Sequence, residues 1–305
     1  MKYKHLEGLI AAPFTPMNAD GSVNLKIIGD YYALLKRNKV SGAFINGSTG
    51  EGVSQTMEEK KSVCKAWADA TKGQNFPVIT LTGGTCIQDS IELAQYAQKV
   101  GLYGLALTAP YYFKPADIKQ LAQCCVEVGN AVPELPFYYY HIPVLNGTSF
   151  PMISLVKELD NKLPSFAGIK YTHEDFMDFS SCLNFANGKY DMLWGRDENF
   201  LSAWVLGAKG AVGSTYNYAA PLYNDLMAAY ERDDLKSARA LQQKAIDMIE
   251  LLGKYGGIAT GKAYMKLIGL DCGEFRLPVK NMNKEQFGQF KKDAEALGFD
   301  HFRSV

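Results

Sequence analysis

Phe166-Ala167-Gly168-Ile169-Lys170-Tyr171-Thr172-His173 is a short apolar run with one lysine inside it. It reads as a buried strand. Alternate side chains of a strand share a face, so Phe166, Gly168, Lys170 and Thr172 are expected on one side and Ala167, Ile169 and Tyr171 on the other. A lysine there is paired, snorkels to water, or serves chemistry. Burial disfavours the ammonium form, and a neutral amine is a nucleophile toward carbonyl carbon. The plain alternative is a lysine at a strand end with its head in water. The rest of the chain decides between them.

Working outward, the same unit recurs. Strands are expected at residues 6–13, 42–49, 77–83, 104–110, 136–143, 166–173, 190–197 and 210–216. Helices are expected after them at 24–39, 56–71, 87–100, 117–128, 151–159, 175–185, 200–206 and 221–230. Leu25, Ile28, Tyr32 and Leu35 give the first helix its apolar side, and Thr56 with Glu59 forms a capping box for the second. Strands alternating with helices imply a parallel sheet. Eight units within about 232 residues suit a closed (β/α)8 TIM barrel. An open doubly wound sheet is the rival, but no Gly-x-Gly-x-x-Gly fingerprint follows the first strand. The expected division is a catalytic α/β barrel over residues 1–232 and a helical extension over 233–305, with helices at 236–254, 260–267 and 284–297. Leu235, Ala238, Leu241 and Ala245 make an apolar stripe that needs the barrel or another subunit against it.

Composition narrows the function. Of 305 residues, 47% are hydrophobic and 21% charged, enough to bury a substantial core. Lys plus Arg and Asp plus Glu balance at 32 each, with no basic stripe, which argues against nucleic acid or an anionic membrane surface as partner. No apolar run reaches transmembrane length. The start leads into a strand-like run rather than a signal-peptide core. Cys64, Cys86, Cys124, Cys125, Cys182 and Cys272 lack disulfide-framework spacing and are read as reduced, in a cytoplasmic protein. The sequons at Asn46 and Asn146 are read as chance matches.

In a TIM barrel the chemistry sits at the carboxyl ends of the strands. The polar residues expected there are Gly47-Ser48-Thr49-Gly50-Glu51-Gly52 after strand two, Tyr111 after strand four and Tyr140-His141 at the end of strand five. Strand six brings Lys170 and Thr172, strand seven Gly195-Arg196-Asp197-Glu198, and strand eight Gly213-Ser214-Thr215. The turn after strand two offers backbone N–H groups and hydroxyls to an anion. It is not a phosphate loop, since no Gly-Lys-Ser/Thr follows. Each feature has a packing explanation by itself, but their convergence on one rim around one lysine favours chemistry. The four histidines, His5, His141, His173 and His301, have no metal-ligand spacing. A lysine nucleophile is therefore expected rather than a metal.

GSTGEG after strand two, Tyr140 before an Ile-Pro turn, Gly-Ile-Lys on strand six and Gly-Ser-Thr on strand eight together resemble the N-acetylneuraminate lyase and dihydrodipicolinate synthase family of Schiff-base aldolases. The resemblance spans the whole chain and implies a TIM barrel with no cofactor and no metal. It implies Lys170 as the imine-forming nucleophile, Ser48 and Thr49 on the substrate carboxylate, and Tyr140 as the proton shuttle oriented by Ser48. Tyr111 matches a tyrosine that completes the relay of a neighbouring subunit, which implies a homo-oligomer, at least a dimer and by family habit a tetramer. Thr172, Gly195, Asp197, Glu198 and Ser214 match sugar-binding positions.

Three places point to the sialic-acid-cleaving branch. Ser48 stands where the synthases usually have Thr, the turn after Tyr140 lacks their arginine, and Gly195-Arg196-Asp197-Glu198 matches the polyol-holding run. The implied substrates are sialic acid, N-acetylmannosamine and pyruvate. Arg196 stands at a variable position and His141 replaces a commoner Asn. Another pyruvate aldolase of this fold and a non-catalytic pyruvate or sugar sensor remain as alternatives.

Overall fold

In the computed structural model, which describes residues 3–305, eight parallel strands pair in chain order and the eighth returns to the first. They are β1 Gly8–Ala11, β2 Gly42–Ile45, β3 Val78–Leu81, β4 Gly104–Leu107, β5 Phe137–His141, β6 Phe166–Tyr171, β7 Asp191–Trp194 and β8 Gly210–Gly213. The barrel is the expected (β/α)8 fold. Its strands are buried on both faces, as a parallel sheet wrapped by helices requires.

Alternation along each strand divides the apolar residues into two sets. Ile10, Phe44, Ile79, Leu81, Tyr138, Tyr140, Leu193 and Val212 fill the barrel interior. Leu9, Ile45, Val78, Leu107, Tyr139, Ile169, Tyr171 and Trp194 face the helices. On β6 the alternation breaks. Phe137 pairs with Phe166 but Tyr138 pairs with Gly168, leaving Ala167 as an extra residue in a bulge. Phe166 therefore turns outward onto Tyr190, ring centroids 4.6 Å apart, and Ala167 faces inward. This corrects the expectation that Phe166 shares a face with Lys170.

The helices before the extension are α1 Ile28–Arg37, α2 Met57–Ala70, α3 Ile87–Val100, α4 Ile118–Asn130, α5 Pro143–Asn146, α6 Met152–Leu159, α7 Phe176–Asn184, α8 Phe200–Val205 and α9 Tyr216–Glu231. The capping box of α2 is formed, with Thr56 Oγ1 accepting from the Glu59 amide at 3.2 Å and Glu59 Oε2 from the Thr56 amide at 2.9 Å. On α1 the buried tyrosine is Tyr31, not Tyr32. Tyr31 lies one turn beyond Ile28, and its hydroxyl donates to Asn217 Oδ1 at 2.8 Å. Helix α9 starts five residues before Pro221, with a kink at Ala219. The short α5, with Pro143 at its start, has no counterpart among the expected helices.

The chain then continues as α10 Leu235–Lys254, α11 Ala259–Leu267 and α12 Lys284–Ala296. Ala238, Ala245 and Met248 of α10 are buried, whereas Leu235, in the first turn behind the Asp234 cap, is exposed. No helix among the described residues is long and apolar enough to cross a membrane.

Candidate active site

Lys170 lies mid-barrel, between its register partners Tyr140 of β5 and Leu193 of β7. Its side chain points inward and the residue is 4% exposed. The Nζ atom stands 4.1 Å from the centres of both the Phe44 and Tyr140 rings. Burial pushes its pKa down to about 7, and the Asp197 carboxylate opposes that shift by favouring the ammonium. A large part of the amine is thus uncharged near neutral pH. Two residues earlier, a Cβ on Gly168 would lie 1.8 Å from the Asp191 carbonyl oxygen, so only glycine lets β6 and β7 approach there.

Tyr140 is also fully enclosed, and burial pushes its phenol up to about 12, with the Ser48 and Thr172 hydroxyls pulling the other way. It remains a phenol, a proton donor, at neutral pH. The Thr172 amide donates to the His141 carbonyl at 2.8 Å, while its buried Oγ1 lies near the phenol without closing a full hydrogen bond to it.

The turn after β2 carries Ser48 and Thr49. It closes with Glu51 N–H donating to the Ser48 carbonyl at 3.2 Å and Gly52 N–H to the Gly47 carbonyl at 3.1 Å. Two side chains, Thr15 Oγ1 and Gln55 Nε2, donate to the Gly50 carbonyl, both at 2.6 Å. A turn held by these bonds, with the Ser48 hydroxyl beside the phenol, suits an anion.

Opposite, Asp197 follows β7. Its Oδ2 accepts from the Thr215 amide at 3.0 Å and the Thr215 hydroxyl at 2.6 Å, while buried Oδ1 has no partner. Burial pushes this carboxyl up to about 6 against those bonds. Space for it comes from Gly213, whose Cβ would lie 1.9 Å from Oδ1. Gly195 acts in the same way, since a Cβ there would lie 1.9 Å from Thr172 Oγ1. Glu198 is half-buried and pairs with Arg196 at 2.7 Å, and Arg196 reaches Glu174 at 2.6 Å. Ser214 is half-buried beyond β8, its carbonyl accepting from Asn217 Nδ2 at 2.7 Å.

The barrel thus brings Lys170, Tyr140, Ser48, Thr172 and Asp197 together, with Thr49, Gly195, Glu198 and Ser214 on the loops of the same rim. Tyr111 is separate. It is 39% exposed beside Tyr112 and Phe113, and no hydrogen bond or ring contact joins it to Lys170 or Tyr140 within this chain. Phe44 and Gln242 are not among the expected site residues, and Thr215 is expected at this rim without a role of its own. Gln242 reaches from α10 to the Glu198 carbonyl at 2.9 Å. A signal for Thr215 was its place in the Gly-Ser-Thr run, but nothing local marks Gln242. His141 faces away from the lysine, its ring tilted against that of Tyr171 with centroids 5.0 Å apart, and both its ring nitrogens are buried and unpartnered. A cavity of about 1140 Å³ lies at the opposite end of the barrel, lined by residues such as Lys4, Ser41, Phe76 and Tyr103 that precede strands, and takes no part in this arrangement.

Such a site has the parts for imine chemistry: an amine that loses its proton near neutrality, a phenol beside it, and unpartnered oxygens around it. Residues 5–297 match the dihydrodipicolinate synthetase family. Rat N-acetylneuraminate lyase is 38% identical over 303 residues, covering 98% of this chain and 95% of that protein. The solved Proteus mirabilis N-acetylneuraminate lyase superposes with a TM-score of 0.94 at 37% identity, covering 97% of this chain and 100% of that one. A dihydrodipicolinate synthase solved from Cyanidioschyzon merolae with lysine bound shares the fold, with a TM-score of 0.89 at 23% identity over 97% of this chain and 100% of that one.

Proposed function

The chain belongs to the dihydrodipicolinate synthetase family, and within it we propose that it is an N-acetylneuraminate lyase, cleaving sialic acid reversibly to N-acetylmannosamine and pyruvate. The buried amine of Lys170, set over Phe44 and Tyr140 and within the field of the Asp197 carboxylate, carries this reading.

The neutral amine attacks the keto carbon of the open-chain sugar acid, water leaves, and a protonated imine remains on Lys170. That imine is an electron sink. The adjacent carbon–carbon bond breaks, its electrons pass into the imine as an enamine, and the aldehyde of N-acetylmannosamine is released. The hydroxyl proton lost in forming that aldehyde leaves through Tyr140, whose own phenolic proton passes to the substrate carboxylate. Protonation of the enamine carbon and hydrolysis then free pyruvate and restore the amine. Ser48 and Thr49 hold the carboxylate by charge-assisted hydrogen bonds. Thr172, Asp197, Glu198 and Ser214 receive the sugar hydroxyls, Gly195 giving them room, because a carboxylate accepts from two hydroxyls at once. Tyr111, exposed on its own chain, serves the site of a second copy in a homotetramer. The six free cysteines agree with a cytoplasmic setting.

One panel tests this reading: purified protein with N-acetylneuraminate, with aspartate semialdehyde plus pyruvate, and with keto-deoxy sugar acids. Release of pyruvate and N-acetylmannosamine from the first supports it. Turnover confined to either of the others overturns the substrate.

A further inference from the structure

The turn that faces the catalytic phenol is held from a distant part of the chain. Glu51, inside it, is buried, and its Oε1 pairs with Lys262 Nζ of α11 at 2.7 Å, the side chains being 3% and 2% exposed. Its Oε2 accepts from the Arg276 amide at 2.8 Å. Lys262 also donates to the Glu274 carbonyl at 3.0 Å and lies over the Phe275 ring at 4.7 Å. The Arg276 side chain continues the clamp, donating to the Ser54 carbonyl at 2.9 Å and to Glu59 Oε2 at 2.8 Å.

Stability alone is a poor account of this pair. Buried ion pairs lose about as much by desolvation as they gain, and apolar replacements of similar volume are often no less stable. Position is a better account. Glu51 has a φ of 56°, which a residue with a side chain holds only where its surroundings fix it. Its N–H closes the turn on the Ser48 carbonyl at 3.2 Å. A shift of Glu51 therefore moves Ser48 and Thr49. Charge matters as well, because an unneutralised carboxylate in this turn would repel an arriving carboxylate at low dielectric.

We propose that the Glu51–Lys262 pair is a positioning device for 2-oxo acid binding, by which α11 and the segment up to Arg276 set the geometry and charge of the Ser48–Thr49 turn. The proposal rests on the lyase reading above and gives the C-terminal helices a part in substrate affinity. Neither residue touches substrate.

The test uses the full chain, as the parent, as the double variant Glu51→Gln/Lys262→Met and as Glu51→Gln. Each is incubated with borohydride and either pyruvate or hydroxyacetone, a ketone without a carboxylate, and labelling of Lys170 is followed against reagent concentration. The half-saturating pyruvate concentration should rise about tenfold in the double variant, the worth of one hydrogen bond. Labelling by hydroxyacetone should stay within about twofold of the parent, since the amine is untouched. Glu51→Gln keeps the side chain's shape but leaves the Lys262 ammonium without its carboxylate, so the double variant is the one expected to fold as the parent does. The single variant should also shift the half-saturating pyruvate concentration by more than its hydroxyacetone labelling, and it serves if the double variant folds poorly. Unchanged half-saturation for pyruvate, or an equal loss with both reagents, overturns the proposal and leaves the lyase reading in place. A parent that labels with neither reagent overturns the lyase reading itself, and this proposal with it.

Discussion

The amine of Lys170 lies 4.1 Å from the centre of the Tyr140 ring, and the two residues are register partners across the β5–β6 ladder. The pairing places an amine and a phenol side by side in one buried compartment, and burial shifts them in opposite directions. The lysine falls to about 7 and the tyrosine rises to about 12.

Labelling of Lys170 by pyruvate and borohydride should therefore depend on pH through the lysine. Only the free amine attacks, so the rate should climb about tenfold per pH unit below 7 and level off above it. Asp197 favours the ammonium, so Asp197→Asn should move the midpoint to lower pH. A midpoint near 10 would mean that the amine is solvated.

Tyr140→Phe removes the hydroxyl proposed to carry the proton and keeps the ring beneath the amine. Pyruvate labelling should persist, while cleavage of N-acetylneuraminate falls by about 10²–10⁴, the usual worth of positioned acid–base catalysis. Undiminished turnover would take the proton role away from Tyr140.

Gly213→Ala tests the space on which Asp197 depends. Its methyl would lie 1.9 Å from Asp197 Oδ1, so the carboxylate has to move off Thr215. Cleavage should fall about 10²-fold, the usual cost of a small misplacement of bound substrate. Pyruvate labelling should survive, because the Ser48 turn and the amine are not displaced. Equal activity would show that the position of Asp197 does not matter.

His141 sets an acid limit on the fold. Burial, reinforced by His173 beside it and opposed by Asp175, pushes its pKa down to about 3. The unfolded chain takes up a proton near pH 6.5 that the folded chain refuses until about 3. Stability contributed by this residue is thus present above pH 6.5 and lost progressively as pH falls to about 3. In melting curves His141→Asn should be less sensitive to pH across that window. A variant whose melting temperature tracks that of the parent would show that other groups carry the acid limb.

Much of this was legible along the chain, since strand-helix alternation and a lysine within an apolar strand are local patterns. Helix α3 begins and ends at the expected residues, and Lys170 sits on the expected strand. The face of Phe166 was not legible, because the bulge that turns it outward arises from pairing with β5, some 30 residues earlier. Thr215 meets Asp197 across 18 residues, Gln242 meets Glu198 across 44, and Lys262 meets Glu51 across 211. Such partners carry no periodicity of their own and become visible only once the barrel closes. Tyr111 is the converse case: its sequence context marks it, yet it lies exposed and apart from Lys170 and Tyr140 within its own chain.

The central claim, that Lys170 carries the substrate as an imine, is tested most directly by reducing the protein with borohydride in the presence of pyruvate and mapping the modified peptide by mass. The account predicts a single reduced pyruvyl adduct on Lys170, blocked when that residue is replaced by Met. A protein that cleaves N-acetylneuraminate yet returns Lys170 unmodified, or carries the adduct on another lysine, would contradict it.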